Sequence, residues 1–196
     1  MRGKLFALLL LLALPAAGGC GGKEVVVGGQ KEVDAHATGD GTGGGAPSLA
    51  PGPRQSLQLV GAQGTITFDA RVELVSSAGS TELLGDPGAA TVRIDGQDTT
   101  LLVNGRVEED RYTAVRVTFT SVEANVIGGL GGITGTVAVD LGVDGVTVVR
   151  PVDLGSSSED AEILIDLDAS EWLPNASGGL VAEMMFRDAV KIRRLD

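Results

Sequence analysis

Between Thr65 and Leu74 the chain alternates without a break: Ile66, Phe68, Ala70, Val72 and Leu74 are apolar, and Thr65, Thr67, Asp69, Arg71 and Glu73 are polar. Successive side chains of an extended chain point to opposite faces, so this pattern makes a strand with one dry and one wet face. A helix would wrap the same residues around all of its sides. One such strand cannot hold itself together in water; it needs partners and a second layer over its apolar face.

The rest of the chain supplies candidates. Thr91–Ile94 and Thr99–Val103 flank Asp95-Gly96-Gln97-Asp98, which predicts a hairpin, and Asn104-Gly105 predicts a two-residue turn. From Tyr112 to Val126 the apolar positions change parity: Val115, Val117 and Phe119 are odd, whereas Val122, Ala124 and Val126 are even. A slip of one residue near Thr120-Ser121 predicts a β-bulge or a bend between two strands. Gly128–Gly132 reads as a flexible connection, Thr136–Leu141 and Val146–Val149 as strands, and Ala161–Asp168 as another. At the C-terminal end, Val181, Met184, Met185, Ala189 and Ile192 fall at helical spacing, but Val190–Arg193 alternates; a terminal strand from about Phe186, after a turn, is the expectation.

Short strands with Gly and Asp turns predict an all-β fold: an antiparallel β-sandwich of immunoglobulin or transthyretin type, or a partly open barrel. The order Arg111-Tyr112-Thr113-Ala114-Val115-Arg116-Val117, followed later by Ala161-Glu162-Ile163-Leu164-Ile165-Asp166-Leu167-Asp168, resembles an uncharacterised family of bacterial lipoprotein β-domains. The likeness spans about residues 65–172. It implies a sandwich and an exported location, and brings no known activity.

The N-terminus points the same way. Arg2 and Lys4 precede ten apolar residues, Leu5–Leu14, and small residues lead into Cys20, the sole cysteine. A basic start, a short apolar run and a small-residue cleavage point make a secretory signal; a spanning helix needs about 20 apolar residues. Ala17-Gly18-Gly19-Cys20 resembles the bacterial lipobox, with Ala17 where leucine is more frequent. The resemblance implies that residues 1–19 are removed and that Cys20 is acylated, anchoring the chain to a membrane. Gly21 in place of aspartate implies the outer membrane where the host has two. Residues 20–55, rich in Gly and Pro, read as a flexible tether, with Glu24–Val27 as a strand that docks on the domain in one alternative. Residues 56–196 read as the β-domain.

Loss of residues 1–19 takes away two basic residues and no acidic one, leaving 13 Lys+Arg against 26 Asp+Glu, a net charge of −13. That sign argues against nucleic acid as a partner. Envelope proteins or glycans remain, besides the membrane reached through the lipid.

Candidate chemistry is sparse. His36, the sole histidine, falls in the expected tether, so the expected domain lacks the groups for Ser–His–Asp, Cys–His or His/Cys zinc sites. The expectation is a non-enzymatic binding or structural domain. Asp166, Asp168 and Glu171 are the best metal candidates: two carboxylates two apart on a strand share a face and would hold one calcium ion, with no other cofactor implied. The competing reading makes them a solvated face over Ile163, Ile165 and Leu167. A carboxylate-dependent glycan hydrolase is the third possibility; it would need an aromatic-lined cleft. Trp172 is expected at the core or rim.

Overall fold

The structure, a computed structural model, describes residues 29–39, 63–94, 99–130, 133–155 and 160–195. It is an all-β sandwich of two sheets with antiparallel strands and no closed barrel.

The larger sheet is built on two long strands, β2 (Gln63–Ser76) and β6 (Tyr112–Leu130), antiparallel from Gln63 opposite Ile127 to Ser76 opposite Tyr112. Two shorter strands share each outer side. β4 (Gly88–Arg93) and β3 (Thr81–Leu83) lie along β2, and β7 (Ile133–Asp140) and β8 (Val146–Gly155) lie along β6. β10 (Leu180–Ala182) adds to β7 in parallel. The smaller sheet has the order β11–β9–β1–β5, from β1 (Gln30–Thr38), β5 (Thr100–Glu108), β9 (Ala161–Asp166) and β11 (Lys191–Leu195). Its central pair, β1 with β9, is parallel.

β2 has the expected face: Ile66, Phe68, Ala70, Val72 and Leu74 are all buried. The slip of phase in β6 is a bulge at Thr120, since Asp69 pairs with Ser121 and the next residue, Ala70, with Phe119. The strand runs on through it, so both apolar sets, Val115-Val117-Phe119 and Val122-Ala124-Val126, reach the same core. The bulge is also where β6 changes outer partner, from β8 at Phe119–Val146 to β7 at Glu123–Ala138. Between these strands, Gly145 (φ 73°) passes so close that a Cβ would lie 2.3 Å from the Phe119 carbonyl oxygen. Only glycine fits both that conformation and that gap.

Across the core, aromatic rings meet edge to face: Phe68 on Phe119 at 5.9 Å, Phe119 on Phe186 at 5.1 Å, and Phe186 on Trp172 at 5.5 Å. Trp172 is fully buried, and its indole N–H donates to the Leu167 carbonyl at 2.7 Å.

Four expectations need correction. Residues 30–38 are not tether: they form β1, hydrogen-bonded on both sides, with Val33, Ala35 and Ala37 fully buried. The domain therefore includes His36, half-buried on the outward side of β1. The Glu24–Val27 segment lies outside the described residues. β4 and β5 are not a hairpin but enter different sheets. Asn104-Gly105 is no turn; both sit inside β5, opposite Asp34 and Val33. Gly105 serves packing there, since a Cβ would lie 2.8 Å from Leu84 Cδ1. Finally, Phe186 lies not in the terminal strand but in a short helix, α2 (Glu183–Ala189), which buries Phe186 and Ala189 and leaves Met184 and Met185 exposed.

Candidate functional site

The structure places chemistry-bearing side chains in three regions. The first holds the carboxylates singled out above. β9 ends at Asp166; Asp168 takes a left-handed conformation (φ 31°) and caps a one-turn helix, α1 (Ala169–Trp172). The two aspartates therefore do not share a strand face. Asp166 Oδ1 accepts the Asp168 amide at 2.9 Å, and Asp168 Oδ1 accepts the Ser170 hydroxyl at 2.6 Å. Short polar side chains tolerate this backbone because they bond locally. Both aspartates are 3% exposed, so the reading of a solvated face is also corrected. Glu171 comes into the same cluster through Lys191, whose Nζ reaches Asp168 Oδ2 and, at 3.1 Å, Glu171 Oε1. Burial pulls the Lys191 ammonium down, but the bonds and charges of Asp168 and Glu171 outweigh it and raise its pKa. Asp168 and Glu171 thus already share a cation, and the described residues contain no group of three His, Cys, Asp or Glu side chains arranged for a metal. Lys191 was the residue missed. Its signal is the alternation Val190–Arg193, which puts it on the opposite strand face from Ile192 and opposite Asp166.

The second region closes the other end of the sandwich. Lys31, on β1 and 1% exposed, points inward; its Nζ donates to the carbonyls of Leu154 (3.2 Å) and Gly155 (3.3 Å) and lies 5.4 Å from the Tyr112 ring centre. Burial, then the charge of Arg194, lowers its pKa. Tyr112 Oη donates to the Glu82 carboxylate and sits 3.1 Å from the Glu108 carbonyl oxygen, four residues upstream. This is a tyrosine corner of the kind sandwiches use where a strand crosses between sheets. Burial and the Glu82 bond raise its pKa. Every inward bond here goes to a backbone carbonyl, a ring or one carboxylate; the cluster ties β1, β3, β6 and β8 together.

The third region is open. A cleft of about 520 Å³ lies beside the bulge, between β6 and the end of β7, lined by Thr120, Ser121, Glu123, Asp140, Leu141 and Leu180 among others. Leu180 is 54% exposed, and Val143, next to the lining residue Gly142, is wholly exposed. Asp140 accepts the Gly142 amide at 3.4 Å. The cleft offers hydroxyls, two carboxylates and an apolar wall. It holds no aromatic ring: Phe68, Tyr112, Phe119, Trp172 and Phe186 are all in the core. The hydrolase alternative thus lacks the lining it required.

Cys20 lies outside the described residues, and among these no helix is long and apolar enough to cross a membrane. No protein family, no curated protein and no solved structure matches the chain.

Proposed function

We propose that the chain is an exported bacterial lipoprotein, acylated at Cys20, whose β-sandwich is a non-enzymatic binding module of the cell envelope. The observation that carries this reading is the order of parts: a basic start, ten apolar residues, small residues and the sole cysteine, followed within ten positions by β1, the first described strand of the sandwich. Acyl chains supply the membrane affinity, about 0.8 kcal/mol per buried CH₂, which an acidic surface does not. The cleft beside Thr120 is the proposed contact surface, since it alone of the three regions leaves polar groups and an apolar wall open to solvent.

Intact mass of the membrane-associated protein, beside a Cys20→Ala variant, tests the anchor. Loss of residues 1–19 with added acyl chains supports it; an unmodified thiol refutes it. The contact surface is tested by titrating envelope glycans and peptides while following backbone amide shifts. Shifts confined to 120–123 and 138–142 support the cleft, and shifts confined to another face refute it.

A further inference from the structure

The placement of β1 turns the sandwich into an oriented object. β1 starts at Gln30, ten positions after Cys20, whereas residues 40–62 connect β1 to β2 and carry no load between lipid and domain. Ten residues, whatever their conformation, span at most about 35 Å. Gln30 marks one end of the sandwich. Gly29 accepts the Glu109 amide at 2.9 Å, Ser77 donates to the Arg111 carbonyl at 2.8 Å, Arg111 pairs with Asp153 at 3.3 Å, and Asp160 accepts the Glu32 amide at 3.1 Å. The other end of β1 meets the start of β2 and the end of β9: Leu167 donates to Thr38 and Ala169 to Gly39. From Tyr112 to Ile127, β6 runs roughly 50 Å from the first end to the second.

Resting on the lipoprotein reading, we infer that the end carrying Glu109, Asp110, Asp153 and Asp160 is kept within about 35 Å of the membrane by its short link to Cys20, with the β6–β7 tip farther out. The near end carries exposed Glu108, Glu109, Asp110, Asp153 and Asp160 against exposed Arg106 and Arg111 and the half-buried Arg194, while Lys31 is buried. Anionic headgroups attract clustered Lys and Arg; this end has the opposite sign and gains no grip on them, so its nearness to the membrane rests on the short link from Cys20 to Gln30. The cleft beside Thr120, midway along β6, faces sideways, towards partners on or near the same membrane.

The test uses the acylated protein in anionic vesicles. Acylation removes the Cys20 thiol, so a single introduced cysteine takes a donor dye cleanly: Ser77→Cys at the near end or Asn125→Cys roughly 40 Å further along β6, with acceptor dye in the lipid. Energy transfer several-fold stronger from position 77 than from 125 is expected, and twenty Gly/Ser residues inserted after Gly22 should weaken it. Equal transfer from the two positions, or stronger transfer from 125, in protein whose mass shows the acyl chains, overturns the orientation alone. A mass without acyl chains, with dye on Cys20, overturns the lipoprotein reading and this inference with it.

Discussion

The two sheets are assembled by different rules. In the larger one, β3 and β4 follow β2 and pair with it, β7 and β8 follow β6 and pair with it, and the β2–β6 pair, Gln63 opposite Ile127, joins the two groups. In the smaller one, β1 lies between β5 and β9, with Val33 opposite Ala161 in the parallel pair. Local pairs close small loops, and distant pairs close large ones at greater entropic cost. Each half of the larger sheet can therefore organise locally before β2 meets β6, whereas the smaller sheet forms only when the two ends of the domain meet.

The most severe way to break this comparison is to remove β1. Deleting residues 1–28 should leave the melting transition in place, and deleting 1–38 should abolish it. The second deletion uncovers Ile163 and Ile165 and separates β9 from β5. A cooperative melt in the longer deletion, followed by circular dichroism, would restore the tether reading. Next in size is the aromatic chain linking the larger sheet to α2: Phe119→Ala removes the ring that touches both Phe68 and Phe186 and should cost about 3–5 kcal/mol in urea unfolding. Gly145→Ala tests a turn within the larger sheet; its left-handed φ and the nearby Phe119 carbonyl should make it cost about 1–3 kcal/mol.

Smaller effects are expected at the edge of the smaller sheet. Lys191→Met strips Asp168 of its cation, but Lys191 is half exposed and Asp168 keeps the Ser170 bond, so a loss of about 1 kcal/mol is expected. The same pair sharpens the alkaline limb. Lys191 has a folded pKa raised above its unfolded value, so its contribution is complete below about pH 10.4 and is lost as pH rises through the folded value. Tyr112, also raised, adds to that fall above about pH 10, because only the unfolded chain ionises there. Stability measured from pH 8 to 11 should decline more steeply in the wild type than in Lys191→Met.

Legibility from sequence follows the same division. β2 and the bulge in β6 could be read because large apolar side chains keep strict parity over many residues. β1 could not, although Val33, Ala35 and Ala37 alternate with Asp34 and His36. Alanine is a weak strand signal, and flanking glycines make the segment look like linker. Its small side chains suit the centre of a sheet whose opposite layer supplies the bulk, Phe68 and Phe119 included. Asn104-Gly105 carried turn chemistry that tertiary packing overrode, because Leu84 occupies the space a side chain would need. Of the carboxylates singled out, Asp168 and Glu171 share Lys191. That partner was hidden because an ion pair 23 residues apart, Lys191 with Asp168, has no local signature. The cleft was invisible for the same reason: its walls come from β6, β7 and β10, and no spacing within one strand marks it.

Parallel pairing of β1 with β9 has one more consequence, in the order of events. β1, the first of the described strands, finds one of its two neighbours only after more than 120 further residues exist (Val33 pairs with Ala161). Until then Val33, Ala35 and Ala37 have half a sheet and an incomplete cover. A chain built this way postpones the closure of its smaller sheet for as long as its far end is still being made.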